Sequence, residues 1–287
     1  MQVQKLSSTD GFIAFDLDDA PAVGVVRLAP KVLRDGAELL ARSTTYAAAS
    51  FGLQVGGGSA GLNAKPEARD EAVAAFVAEV APLVESGRWL PGPGVGITPD
   101  DLAALPKVDE RTAAFDQAAT AESAVAAAAG ALGSLEGAQL AIVGTGPVCE
   151  AAAAAAAARG ATALPGASVD AECDLLLVAG KAGTVEHDLA STVRAKAVVP
   201  LSPVPVTARA LAVLGRAGVV VVPDFLSLAG PLLAAFDAGA GEPAARVEAT
   251  VAELAGEGTN LWMAACLKAE DHLRTWRSEL PFGRPLA

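Results

Sequence analysis

A serine closing a run of three glycines, Gly56-Gly57-Gly58-Ser59, is the first place in this chain where backbone freedom and a reactive side chain coincide. In a glycine-rich loop such a hydroxyl either caps the next helix or touches a ligand, and it becomes a nucleophile only with an activating base. Arg27, Arg42, Tyr46, Asn63, Lys65, Thr98, Asp100 and Asp101 are further polar residues suited to a ligand site. Lys65, six residues after Ser59, and Lys181, next to Gly180 at a strand end, either bring positive charge to an anionic ligand or stand as solvated lysines. Arg42 and Tyr46 share one helix face, where they pair with nearby acids or cover the core. Asp100 and Asp101 follow Thr98-Pro99 and read as charges complementing a helix dipole. Glu186-His187-Asp188 has the order that orients an imidazole, and also the composition of an exposed polar turn. A second glycine turn, Gly144-Thr145-Gly146, offers the tight bend and close approach that a pyrophosphate needs. The third glycine of that pattern falls on Cys149, and no acid closes a second strand about 20 residues on.

Composition removes several classes of function. Cys149, Cys173 and Cys266 are odd in number, far apart and without CxxC spacing, so they are expected as buried small hydrophobes. With only His187 and His272 besides, no metal centre is expected. A formal charge of −12 opposes phosphate neutralisation, so no nucleic-acid partner is expected. The alanine tracts at Ala124 to Ala129 and Ala151 to Ala158 fall far short of the roughly 20 residues of a membrane span. Met1 to Lys5 carries no signal-peptide pattern, and a cytoplasmic protein is expected.

The elements that must position these residues read as two α/β units. A hydrophobic fraction of 52% supports a large core. Val23 to Leu28 reads as a strand, Pro30 to Ala49 as a helix, Ser50 to Gly52 as a turn, and Glu67 to Ser86 as an amphipathic helix. Leu90 to Pro99 is expected to be irregular, with Thr98 or Asp100 capping a short helix after it. In the second unit a helix from Ala118 to Leu132 leads through a turn to the strand Gln139 to Val143, the Gly144 turn and a helix through Arg159. Further strands at Leu175 to Val178, Ala197 to Pro200 and Val219 to Val222 complete the pattern of a parallel, doubly wound sheet. Domains are expected at 1–117 and 118–259, with 260–287 a final helix packing back.

Taken together, Ala41-Arg-Ser-Thr-Thr-Tyr46, Gly52-Leu-Gln-Val-Gly-Gly-Gly58 and Pro91 to Asp100 resemble the motifs MTYK, GLxxGGGK and PGPDVGTTPED of the Glu/Leu/Phe/Val amino-acid dehydrogenases. Gly133 to Gly137, the Gly144 turn and Val222 to Gly230 look like that family's GSLEGK, GxGNVG and PDFVxNAGG stretches. The resemblance runs from about Ala20 to Ala235 and marks a shortened, divergent member. It implies an N-terminal substrate and oligomerisation domain, a shortened Rossmann-like domain, and a cleft that binds an amino acid and NAD(P).

The residues of oxidative deamination do not carry over. The lysine of GGGK falls on Ser59, the lysine of MTYK on Ala47, and the aspartate of PGPDVG on Gly94. The asparagines of GANNPxT and NAGG fall on Pro203 and Leu228. The expectation is therefore a pseudoenzyme that binds a small amino-acid-like ligand or serves as a partner subunit, as a homodimer or in a hetero-oligomer. No cofactor is expected, NAD(P) being the alternative supported by Gly144 and Gly146. A repurposed enzyme would use Ser59, Tyr46 and Lys65 as catalytic candidates, with Gly57, Gly58, Arg42, Asn63 and Thr98 lining the ligand site. A divergent amino-acid oxidoreductase is the remaining reading.

Overall fold

The computed structural model describes residues 1–106, 116–237, 239–256 and 260–286. The chain divides into two units, Met1–Phe115 with His272–Pro285, and Asp116–Asp271 with Leu286–Ala287. The sequence-based boundary at 259 lies outside the described residues.

The first unit is built on a mixed sheet. β1 (Gln2–Lys5) and β2 (Gly11–Phe15) form an antiparallel pair, and β3 (Ala22–Ala29) leads through a loop to α1 (Arg34–Ser50). β4 (Gly56–Asn63), α2 (Arg69–Glu85) and β5 (Trp89–Pro93) follow, giving the spatial order β1-β2-β4-β3-β5. β3 is parallel to both β4 and β5, whereas β2 is antiparallel to β4. Ala72, Val73, Phe76, Val80 and Val84 recur at helical spacing on α2 and are its buried stripe. They pack over Phe15, Val26, Leu62 and Trp89. Trp89 meets Phe15 and Phe76 edge to face, at centroid distances of 5.9 and 6.1 Å.

Three local expectations fail here. The helix expected from Pro30 starts at Arg34, because Pro30 to Leu33 carries the chain off β3. Gly56 to Ser59 is a buried strand, not a loop. Leu90 to Pro93 is strand rather than irregular chain. β5 lies at the sheet edge, where Pro91 and Pro93 lose no ladder hydrogen bond on the open side.

The second unit holds a fully parallel sheet. α3 (Gln117–Leu132) is capped by Asp116, whose carboxylate accepts from the N–H groups of Ala118 and Ala119, and ends on left-handed Gly133. β6 (Gln139–Val143), α4 (Pro147–Ala157), β7 (Thr162–Ala163), β8 (Leu175–Val178), α5 (His187–Ala190) and β9 (Ala197–Pro200) follow. After them come α6 (Ala208–Arg216), β10 (Val220–Val221), α7 (Asp224–Ser227), α8 (Gly230–Phe236), α9 (Pro243–Gly256) and α10 (Leu261–Arg274). The order β10-β9-β8-β6-β7 reverses direction at β6, the doubly wound pattern. A Cβ on Gly130 would lie 2.4 Å from the Glu248 carbonyl, so α3 and α9 meet along small residues. β7, which the sequence did not suggest, is two exposed residues paired with β6, and the last strand is Val220–Val221 rather than four residues. Cys149, Cys173 and Cys266 are all buried and free, as expected. No described helix is long and apolar enough to cross a membrane.

Candidate functional site

The first unit carries the residues singled out around Ser59, and the packing of α1 on β4 decides what they can do. Side chains alternate across a strand. On one face of β4, a Cβ on Gly58 would meet the Trp89 ring at 2.7 Å. On the other, a Cβ on Gly57 would lie 1.8 Å from the Ala41 carbonyl of α1. The glycines therefore serve close packing of helix on strand, and the Thr45 hydroxyl secures it by accepting from the Gly57 N–H at 2.9 Å. Ser59, two residues on, shares the α1 face of the sheet, is fully buried, and its Oγ has no hydrogen-bond partner among the described residues. It caps no helix, because α2 starts ten residues later at Arg69.

The other catalytic candidates do not join Ser59. Tyr46 is 1% exposed within α1, and it is not the partner of the Ser59 hydroxyl, which makes no hydrogen bond among the described residues. Lys65 is exposed and precedes the 3-10 turn Pro66–Ala68. The strand from Ser59 to Asn63 alone spans roughly 13 Å. No base faces the Ser59 hydroxyl from these candidates, so nothing among them activates it.

The ligand-site candidates are mostly committed to structure. Asn63 accepts the Val32 N–H through Oδ1 at 2.7 Å, tying the β3–α1 connection to β4. Arg42 lies buried on α1, where Nε and Nη2 both reach Asp16 Oδ1 at 2.7 Å and Nη1 donates to the carbonyls of Phe282 and Gly283. Asp16 was not picked out in the sequence, although an acid directly after the apolar run Phe12 to Phe15 was a visible signal.

Thr98 and Asp101 form a local turn rather than the cap expected of Thr98 or Asp100. Pro99 precedes the short 3-10 turn Asp100–Leu102 without a side-chain cap. Asp101 accepts from the Thr98 N–H at 2.7 Å and from its hydroxyl at 2.9 Å, and pairs with Arg69. Lys181 is exposed beyond β8, and His187 is exposed with Nδ1 2.9 Å from Asp188.

Two carboxylates of this unit are held strongly ionised. The Arg69 hydrogen bond, helped by Thr98, keeps Asp101 at about 2. At Glu79 burial works against ionisation, but hydrogen bonds from the hydroxyls and N–H groups of Ser7 and Ser8 outweigh it and hold the carboxyl at about 2. Both folded pKa values lie below the ordinary ones of 3.8 and 4.5. Their stabilisation is thus complete above about pH 4.5 and is lost as pH falls towards about 2. Urea midpoints measured across that window are expected to fall for the natural chain, and to fall less steeply for Glu79→Gln.

The three positions where the resemblance places catalytic side chains are fixed by packing. Ala47 is 8% exposed on α1, and Ser59 is fully buried on β4. At Gly94 a Cβ would lie 2.7 Å from the Val26 carbonyl and 3.1 Å from Arg27 Cγ, so any side chain there requires the backbone to shift.

With this geometry in place, comparison with known proteins places the chain. The family model for the Glu/Leu/Phe/Val dehydrogenase dimerisation domain matches residues 2–108. The N-terminal part of the chain is thus similar to the dimerisation domain of the Glu/Leu/Phe/Val dehydrogenases. L-tryptophan dehydrogenase of Nostoc punctiforme is 38% identical over 91 residues, which is 30% of this chain and 25% of that protein. The crystal structure of L-tryptophan dehydrogenase from Nostoc punctiforme shares the fold at a TM-score of 0.72 and 21% identity, covering 96% of both chains. A hetero-hexameric glutamate dehydrogenase from Thermus thermophilus, in its Leu-bound form, gives a TM-score of 0.73 at 22% identity, covering 94% of this chain and 86% of that one.

A nucleotide cofactor of the kind the resemblance implies would find a poor fit in the second unit. Gly144, at φ +128°, packs against Ala179, and Gly146, at φ +103°, opens directly into α4, so the tight turn is present. Glu150, however, puts a negative charge in the first turn of α4, where a pyrophosphate would lie. β7 (Thr162–Ala163) runs directly into Leu164-Pro165, without the carboxylate that holds an adenosine ribose. Cys149, at the third glycine position, is buried, and burial pushes its thiol pKa up.

Proposed function

We propose that this dehydrogenase-like chain no longer carries out NAD(P)-dependent oxidative deamination and serves as a pseudoenzyme, binding a small ligand or acting as a partner subunit. The observation that carries the reading is the packing at Gly94, Ser59 and Ala47. The acid/base and carboxylate-holding side chains of the family are absent, and at Gly94 the backbone has closed around glycine.

Acid/base groups contribute roughly 10²- to 10⁴-fold each, so losing the lysine and the aspartate together removes several orders of magnitude in rate. A serine hydroxyl without a base restores none of it. The poor fit of the Gly144 turn supports the same reading for the cofactor. Assembly with a second type of subunit has a precedent within this fold, since one of the solved structures sharing it is a hetero-hexamer. Amino-acid-dependent reduction of NAD or NADP by the purified chain is the test of the proposal, and detectable turnover contradicts it.

A further inference from the structure

We propose that a cavity along the open edge of the parallel sheet binds a small neutral amide, a primary carboxamide or a lactam, with a branched aliphatic end. The cavity, of about 330 Å³, is lined on one side by the consecutive residues Gly218 to Val221, at and just before β10. Side chains alternate between the two faces of a strand, so a space that touches such a run lies beside the strand and not over one face. β10 is the edge of the sheet, paired on one side with β9. Leu211 and Gly215 wall the cavity from α6, which packs on the same face as the Val221 side chain. Ala255 of α9 and Leu261 of α10 wall it from outside that cluster.

The backbone there supplies recognition groups. The N–H groups of Val220 and Val222 donate to the carbonyls of Lys196 and Val198 on the β9 side, at 2.9 and 3.0 Å. The N–H and carbonyl of Val221, between them, are turned to the open side, where no described strand pairs with them. A carboxamide or lactam carries one acceptor beside one donor and can pair with both groups at once. Asn260, also in the lining, adds a donor. Its Oδ1 accepts from the Met263 N–H at 3.3 Å, in the first turn of α10, and its amide nitrogen lies 3.6 Å from where a Cβ on Gly215 would stand. The side chain thus reaches from α10 towards α6.

That reach limits the occupant, because an added strand would run into Asn260 while a small molecule would not. A volume near the lower end of the roughly 300–1,000 Å³ of ligand sites agrees. None of the described lining residues is charged, so a carboxylate would be buried there without a cation. Leu211, Val219 and Leu261 suit a branched aliphatic end. The site is separate from the Gly144 turn. β8 and β9 stand between β6 and β10, which puts the two strands roughly 14 Å apart. The cavity also extends to Gly218, before β10, and not beyond the carboxyl ends of the strands where a nucleotide sits. The inference stands apart from the loss of hydride transfer.

Calorimetric titration and thermal shift of the full chain with 3-methylbutanamide, its N,N-dimethyl derivative and sodium 3-methylbutanoate test it. The primary amide is expected to bind saturably and the carboxylate not to bind. The dimethyl compound has no N–H for the Val221 carbonyl and is expected to bind about 3- to 10-fold more weakly, the loss of one hydrogen bond. Asn260→Ser keeps a capping oxygen for α10 but withdraws the amide nitrogen, and a similar loss of about 3- to 10-fold is expected. Gly215→Leu, at an exposed helical position where leucine favours the helix, fills the cavity and is expected to abolish binding. No saturable binding of the primary amide, equal binding of the carboxylate or the dimethyl compound, or unchanged binding by Gly215→Leu overturns the proposal. Should Gly215→Leu fail to fold, unchanged binding by Asn260→Ser overturns it as well.

Discussion

Returning the family's lysine with Ser59→Lys is expected to destabilise the first unit by at least about 3 kcal/mol rather than to create activity. Ser59 lies under α1 on the face of β4 where Gly57 already touches the Ala41 backbone, and it is fully buried. Overpacking such a site costs about 1–3 kcal/mol. An ammonium there adds the penalty of a buried charge without an acid beside it, of the order of several kcal/mol. Urea unfolding followed by tryptophan fluorescence and circular dichroism reads the change. A variant as stable as the natural chain would mean that the space beneath α1 is far looser than the Gly57–Ala41 approach indicates. The companion change Gly94→Asp meets the Val26 carbonyl at its first side-chain atom, so the two substitutions together are expected to compound the loss.

Breaking the Arg42–Asp16 pair is the other large effect. Both side chains are almost enclosed, at 7% and 0% side-chain exposure, and Arg42 also gathers the carbonyls of Phe282 and Gly283. Arg42→Met leaves the Asp16 carboxylate buried and unpaired, and a loss of about 3–5 kcal/mol is expected. Asp16→Leu with Arg42→Met removes both charges and is expected to be less damaging than Arg42→Met alone, because no uncompensated ion remains. Urea midpoints of the single and double variants measure this directly. A double variant that loses the sum of both single effects would show that the pair is not coupled.

The sequence showed the α/β alternation because buried, β-branched and leucine runs such as Leu175–Val178 and Ala197–Pro200 have no polar face to hide. It showed α2 because its apolar residues recur at helical spacing. Gly56 to Ser59 was misread because glycine carries no strand preference. What makes it strand is tertiary: α1 approaches so closely that only glycine fits at 57. Pro91 and Pro93 spoke against a strand and are tolerated only because β5 is an edge. The chemistry was legible in the same uneven way. The substituted positions 47, 59 and 94 could be found by motif alignment, but the burial of Ser59 and the exposure of Lys65, which keep them apart, depend on side-chain direction along β4. Arg27 was visible as a polar residue in an apolar strand, while the enclosure of its Nε and Nη2 without an acceptor among the described residues was not.

The loss of hydride transfer is tested most directly by following absorbance of reduced nicotinamide with purified protein, NAD or NADP, and a panel of amino acids that includes glutamate, leucine, phenylalanine, valine and tryptophan. An intact family enzyme assayed alongside shows that the conditions support turnover. No amino-acid-dependent reduction above the enzyme-free rate is expected. Saturable reduction with any of these amino acids, proportional to protein concentration, would contradict it and require catalytic groups other than those lost at Ala47, Ser59 and Gly94.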